Sequence, residues 1–127
     1  MGKKMTYSIL VVDDEPMVRD GLKLALEMEG FHTTTASNGI EALKYIRSQK
    51  PHLVITDIIM PDSDGIEVIC SVREKNPDIK IIAISGGGRI SASDHLRVAQ
   101  QLGANGILAK PFTTEQLLCE INRLLSA

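Results

Sequence analysis

Residues 9–16 read ILVVDDEP, an aliphatic run that ends on two adjacent carboxylates, Asp13 and Asp14. A run this short, this apolar and this rich in β-branched residues reads as a strand buried on both faces. Similar runs recur at 53–55, 81–84 and 107–109, and HTTTA at 32–36 is a fifth candidate, β-branched but polar, as suits a sheet edge. Between the runs lie stretches with apolar residues at helical spacing: Val18, Leu22, Ala25 and Leu26; Ile40, Leu43 and Ile46; Ile66, Ile69 and Val72; Leu96, Ala99 and Leu102; Leu117, Leu118, Ile121, Leu124 and Leu125. Each such stripe is expected to face the core.

The punctuation agrees with this segmentation. Asn38 with Glu41, Asp64 with Glu67, and Thr113 with Gln116 have capping-box spacing, Gly30 and Gly103 stand where a helix C-terminus wants positive φ, and Pro51 and Pro77 fall just past helix ends. The order is therefore strand–helix repeated five times, which predicts an α/β fold: a parallel sheet with helices on both faces. A polar leader, expected to be disordered, occupies residues 1–6, and one domain covers 7–127.

Composition narrows the function. At 127 residues and 43% hydrophobic, the chain supports one domain with a real core. A net charge of -2, with no basic cluster beyond the leader's Lys3 and Lys4, lacks the footprint of a nucleic-acid binder. No apolar run approaches a membrane span and the leader has no signal-peptide core, so a cytoplasmic location without membrane contact is expected. Cys70 and Cys119 have neither metal-ligand spacing nor a framework of partners, and read as small core or near-surface residues. His32, His52 and His95 likewise share no ligand spacing.

The polar residues that end the strands carry the chemistry: Asp13 and Asp14 after Val12, Asp57 after Thr56, Ser85 after Ile84 and Lys110 after Ala109. Open parallel sheets bind ligands beyond the carboxyl ends of their strands, so these side chains converge on the edge where sites form. Carboxylates about 4 Å apart repel by about 4 kcal/mol at an effective dielectric of about 20, a conflict that a divalent cation resolves. With no His or Cys among them they are hard oxygen ligands, better suited to Mg²⁺ than to Zn²⁺. A carboxylate nucleophile, a metal, a lysine and a hydroxyl are the parts that phosphoryl transfer to an aspartate requires.

ILVVDDEP, DIIMPDSDG (57–65), AIS followed by glycine (83–86) and AKPF (109–112), in that order on strand ends, resemble the receiver domain of two-component response regulators, the CheY-like family. The resemblance spans residues 7–125. It implies a doubly wound, flavodoxin-like sheet of strand order 2-1-3-4-5 and a cytoplasmic signalling switch or relay that works as a phosphoprotein rather than an enzyme. By position, it implies that Asp57 takes the phosphoryl group from a histidine kinase or a histidine phosphotransfer protein. Asp14 would be the main Mg²⁺ ligand, Asp13 would reach the ion partly through water, and Ile59 would offer its backbone carbonyl. Ser85 would bond a phosphoryl oxygen and Lys110 would pair with the phosphate. Phosphorylation would reshape the face formed by the fourth helix, fifth strand and fifth helix, altering contact with a downstream protein or with an output domain on the C-terminal side.

One position departs from the family pattern. Where receivers usually carry Tyr or Phe three residues before the lysine, this chain has Ile107, so the aromatic switch is absent in its usual form. SGGGRIS at 85–91 is also glycine-rich, and reads as a flexible loop rather than a phosphate cradle because neither GxGxxG nor GK[ST] follows. Two alternatives stand beside the switch: a receiver-like scaffold that binds partners without phosphorylation, and a Mg²⁺-dependent phosphohydrolase. The second lacks a dehalogenase-type DxD around Asp57 and a cap domain.

Overall fold

Five short β-branched strands cannot shield both of their faces without helices, and the chain supplies one after each strand. In a computed structural model, which describes residues 6–58, 65–85 and 92–126 (the side chains of 92–96 excepted), the elements alternate throughout. They run β1 (Ser8–Val12), α1 (Pro16–Met28), β2 (His32–Ala36), α2 (Gly39–Ser48), β3 (Leu53–Asp57), α3 (Gly65–Lys75), β4 (Lys80–Ser85), α4 (Ala92–Leu102), β5 (Gly106–Ala109) and α5 (Thr114–Leu125). All pairings are parallel and the strand order is β2-β1-β3-β4-β5, the doubly wound arrangement expected.

Alternation along the strands divides the core in two. Leu10, Val12, Val54, Ile81 and Ala83 face α2, α3 and α4, where Ala42, Ile46, Ile69, Val72 and Ala99 cover them. Ile9, Val11, Ile55, Ile82 and Ile84 face α1 and α5, against Leu26, Leu117 and Ile121. Among the described residues no helix is long and apolar enough to cross a membrane.

The expected caps form where they are described. Thr113 and Gln116 close a full capping box on α5. Asn38 accepts from the Glu41 N–H, but the Glu41 carboxylate bonds Ser37 rather than the cap residue itself. Gly30 (φ 94°) and Gly103 (φ 122°) hold positive φ.

Three expectations need correction. The run at 107–109 is not buried on both faces: β5 is the outer strand of the sheet, its Ile107 and Leu108 are half-buried, and Ala109 is exposed. Ile40 is 70% exposed, because the buried line of α2 runs through Gly39, Ala42 and Ile46 and Ile40 projects about 130° away from it. Leu102 is also exposed at the end of α4, where Ala99 makes the buried contact. Of the two readings left open for Cys70 and Cys119, core or near-surface, the second holds, since both are exposed. The leader at 1–5, the turn with Asp64, the loop at 86–91 and the side chains of Leu96 and His95 lie outside the described residues.

Candidate functional site

The strand-end residues are built into position by the backbone around them. After Val12 the chain leaves the sheet at Asp13, whose N–H still donates to the Ala36 carbonyl. The Asp13 carboxylate then accepts from the Glu15 N–H (2.9 Å), a side-chain turn that bends the chain into α1, with Pro16 in the first helical turn. Arg19 of α1 reaches back to the Asp13 carbonyl (2.9 Å) and fixes the turn from the other side. Asp13 is thereby held 1% exposed, while Asp14 points outward to solvent.

Asp57 closes β3 in register with Ile84 of β4, and its neighbour Thr56 donates its hydroxyl to the Asp57 carbonyl (3.0 Å). The first residue of α3, Gly65, lies against the same peptide: a Cβ at that position would overlap the Asp57 carbonyl oxygen, and the Gly65 N–H donates to the Ile58 carbonyl. Glycine is thus required where α3 approaches the acid. Sequence reading passed over Gly65, although a glycine opening a helix just after a strand-end acid is the available signal.

Asp13, Asp14 and Asp57 each present a carboxylate oxygen within 4.8 Å of the others. Lys110 Nζ lies 3.3 Å from Asp13 Oδ2 and 3.2 Å from Asp57 Oδ2, and Glu15, exposed on the rim, approaches it to 3.9 Å. Burial alone would depress the Lys110 ammonium, but the Asp57 and then the Asp13 carboxylates outweigh it and hold its pKa above that of ordinary lysine. The lysine is a fixed positive charge. One cation against three acids still leaves the pocket electronegative. Asp14 has no cationic partner among the described residues.

Ser85 ends β4 beside the pocket, fully buried, and its carbonyl accepts from the Lys110 N–H (2.9 Å). Its hydroxyl makes no hydrogen bond, the one buried side-chain oxygen in that condition among the described residues. An orphaned buried donor costs about 1–3 kcal/mol, so a partner reaching this hydroxyl would be favoured. Ile107 of β5 lies on the α4 face of the sheet, half-buried against the core where an aromatic would stand. Ile59 lies outside the described residues.

The donor set fits a divalent ion. Three carboxylates with neither His nor Cys make a hard oxygen site with room for water, as Mg²⁺ prefers.

Comparison with known proteins agrees with this architecture. Residues 9–122 match the family model described as the response regulator receiver domain. Over 122 residues the chain is 37% identical to the response regulator MprA of Mycobacterium ulcerans, covering 95% of this chain and 51% of that protein. The same identity and coverage hold for MprA of Mycobacterium tuberculosis. This chain therefore spans about half the length of the curated relatives it matches. Among solved structures, the receiver domain of NtrX from Brucella abortus superposes with a TM-score of 0.87 at 33% identity, covering 94% of this chain and 98% of that one. A receiver domain protein from Clostridium thermocellum gives a TM-score of 0.87 at 30% identity, covering 94% of each chain.

Proposed function

The chain belongs to the response regulator receiver family, and from that premise we propose that Asp57 is the phosphoacceptor of a Mg²⁺-dependent signalling switch. The observation that carries this reading is the pairing of Lys110 with Asp57 beside the unpartnered Ser85 hydroxyl. An oxygen of Asp57 attacks the phosphorus of a phosphohistidine; the P–N bond breaks and its electron pair returns to the imidazole. The phosphoryl group adds charge to a pocket already rich in carboxylates. Lys110 turns from Asp57 to the new oxygens, and Ser85 donates its hydroxyl to one of them. Asp13 and Asp14 would hold Mg²⁺. When bound, the ion neutralises charge on the phosphoryl oxygens.

The donor is a histidine kinase or a histidine phosphotransfer protein, and α1 offers it a surface. Met17, Leu24 and Met28 are 88%, 64% and 78% exposed, and with Gly21 they fall within about 60° of one another around the helix. This second apolar stripe begins just beyond the Asp13 turn, so a helix packed on it would stand beside the pocket. The receiver's own catalysis is confined to gaining and losing its phosphoryl group. Its output passes to a downstream protein or to an output domain.

Intact mass after incubation with acetyl phosphate tests the reading. A single Mg²⁺-dependent phosphoryl adduct, labile to base and lost in Asp57→Asn, is the expected result. Absence of an adduct in the folded wild type with Mg²⁺ would overturn it in favour of a phosphorylation-independent scaffold.

A further inference from the structure

At the end of the sheet opposite Asp57 lies an open groove of about 430 Å³, bounded by the entry to β3, the α3–β4 turn and the last turn of α5. Its floor is apolar, with Pro51, Leu124 and Leu125, and its rim carries Lys50, Lys75 and Lys80 against a single acid, Asp78. None of the three lysines has an ion-pair partner among the described residues. Lysines at helix C-termini such as Lys75 complement the helix dipole, which would place one or two of them here without any ligand. That account leaves Lys80, which opens a strand, unexplained.

Two details sharpen the charge of the groove. Arg73 sits behind the α3–β4 turn and donates to the Pro77 carbonyl (2.7 Å) and the Ile79 carbonyl (3.1 Å), so the oxygens that would give the turn a negative edge are already engaged. On the other wall His52 accepts the Ser8 N–H at Nδ1 (3.0 Å), which in the neutral ring leaves the proton on Nε2 as a further donor. A rim of donors and cations over an apolar floor differs from a phosphate site, which would leave the floor unused. It also differs from a nucleic-acid surface, which needs a broad basic face that a chain of net charge -2 does not present.

We propose that this groove docks an acidic, extended peptide segment of a partner protein, with carboxylates on Lys50, Lys75 and Lys80 and one apolar side chain on the Leu124–Leu125 floor. The proposal goes beyond phosphorylation and does not depend on Asp57. Charge steering would make the docking sensitive to salt, and the apolar anchor would fix its register.

The test is a ¹H–¹⁵N NMR titration of the full chain with the peptide acetyl-EEDLDEE-amide at low salt. Amides of Lys50, His52, Leu53, Lys75, Asn76, Asp78, Ile79 and Lys80 and those at 124–126 should shift together and saturate, and acetyl-QQNLNQQ-amide should shift them at least tenfold more weakly. Combined Lys50→Glu, Lys75→Glu and Lys80→Glu should abolish the response while leaving the acetyl phosphate reaction unchanged. Should that charge reversal unfold the chain, Lys50→Gln with Lys80→Gln provides the same comparison and should weaken binding several-fold. Shifts scattered over all exposed lysines, an equal response to the neutral peptide, or an equal response to inorganic phosphate would each overturn the proposal.

Discussion

The two ends of the sheet treat polar groups in opposite ways. At the carboxyl end Asp13 and Asp57 share one lysine, Asp14 has no cationic partner among the described residues, and the buried Ser85 hydroxyl makes no hydrogen bond. Near the amino end Arg73 is satisfied several times over. Beyond Pro77 and Ile79 it reaches the Gly103 carbonyl through two nitrogens (3.2 and 2.9 Å) and Asn105 Oδ1 (2.8 Å), tying α3 to the approaches of β4 and β5. Asn105 Oδ1 also accepts the Ile81 N–H (2.9 Å). At the amino end the Arg73 cluster is complete within the folded chain. The other is left incomplete in a pattern that a cation and a phosphoryl group would complete, which is how a site differs from a scaffold.

The contrast predicts where truncation is most damaging. Arg73→Ala strands several carbonyls and unlinks α3 from the turn before β5, so it should cost about 2–4 kcal/mol in chemical denaturation. Phosphoryl stoichiometry with acetyl phosphate should survive below the transition. A loss under about 0.5 kcal/mol would mean that water replaces the guanidinium and that the amino end is not the rigid one. Gly65→Ala should follow at about 1–3 kcal/mol, because its Cβ must displace the Asp57 carbonyl or the first turn of α3. Unlike Arg73→Ala, it should also slow phosphorylation, since the peptide it moves belongs to the acceptor. Equal phosphorylation rates for the two variants would separate Gly65 from the site.

Asp14→Asn should act with the opposite sign. At 4.8 Å two carboxylates repel by about 3 kcal/mol at an effective dielectric of about 20, and Lys110 offsets that for Asp13 and Asp57 more than for the solvent-facing Asp14. After solvent screening, removing one charge should raise stability by about 1 kcal/mol without metal, and this gain should vanish or reverse as Mg²⁺ is added. Thermal unfolding with and without Mg²⁺ reads both. Destabilisation in chelator would show that the acids are not in conflict.

Much of this was legible in the sequence for a physical reason: strand runs, stripes and terminal acids are local signals with fixed periods. The convergence of Asp13, Asp14, Asp57, Ser85 and Lys110 at one edge follows once the strands are parallel, whereas the pairing order was implied by the family resemblance. What escaped is whatever depends on neighbours distant in the chain. Arg73 reads as an ordinary surface charge until the turn before β5 is packed beside it. Gly65 gains meaning only from its closeness to Asp57, and Ile40 fits a stripe whose true line is set by the sheet beneath α2. Met17, Leu24 and Met28 were missed because the Val18–Leu22–Leu26 stripe already accounted for α1, leaving its second stripe without a role.

Glu41 supplies the smallest test and the sharpest control, because it is a carboxylate near the same edge that is fully served. It accepts the Ser37 N–H (2.7 Å) and the Ser37 hydroxyl (2.8 Å), and these bonds, the backbone one first, hold its pKa below 4.5 despite slight opposition from burial. A depressed folded pKa means that the charged form contributes stability above the unfolded value and that this contribution is lost as pH falls through the folded value. Glu41→Gln keeps an accepting oxygen and removes only the charge, so it should be slightly less stable than wild type at pH 7. That difference should shrink to nothing well below pH 4.5, whereas the Asp14→Asn effect in chelator has the other sign at neutral pH. Parallel unfolding series for the two variants from pH 7 to pH 3 distinguish them. If Glu41→Gln also stabilised at neutral pH, the general acidity of the chain, and not an incomplete pocket, would explain the behaviour of Asp14.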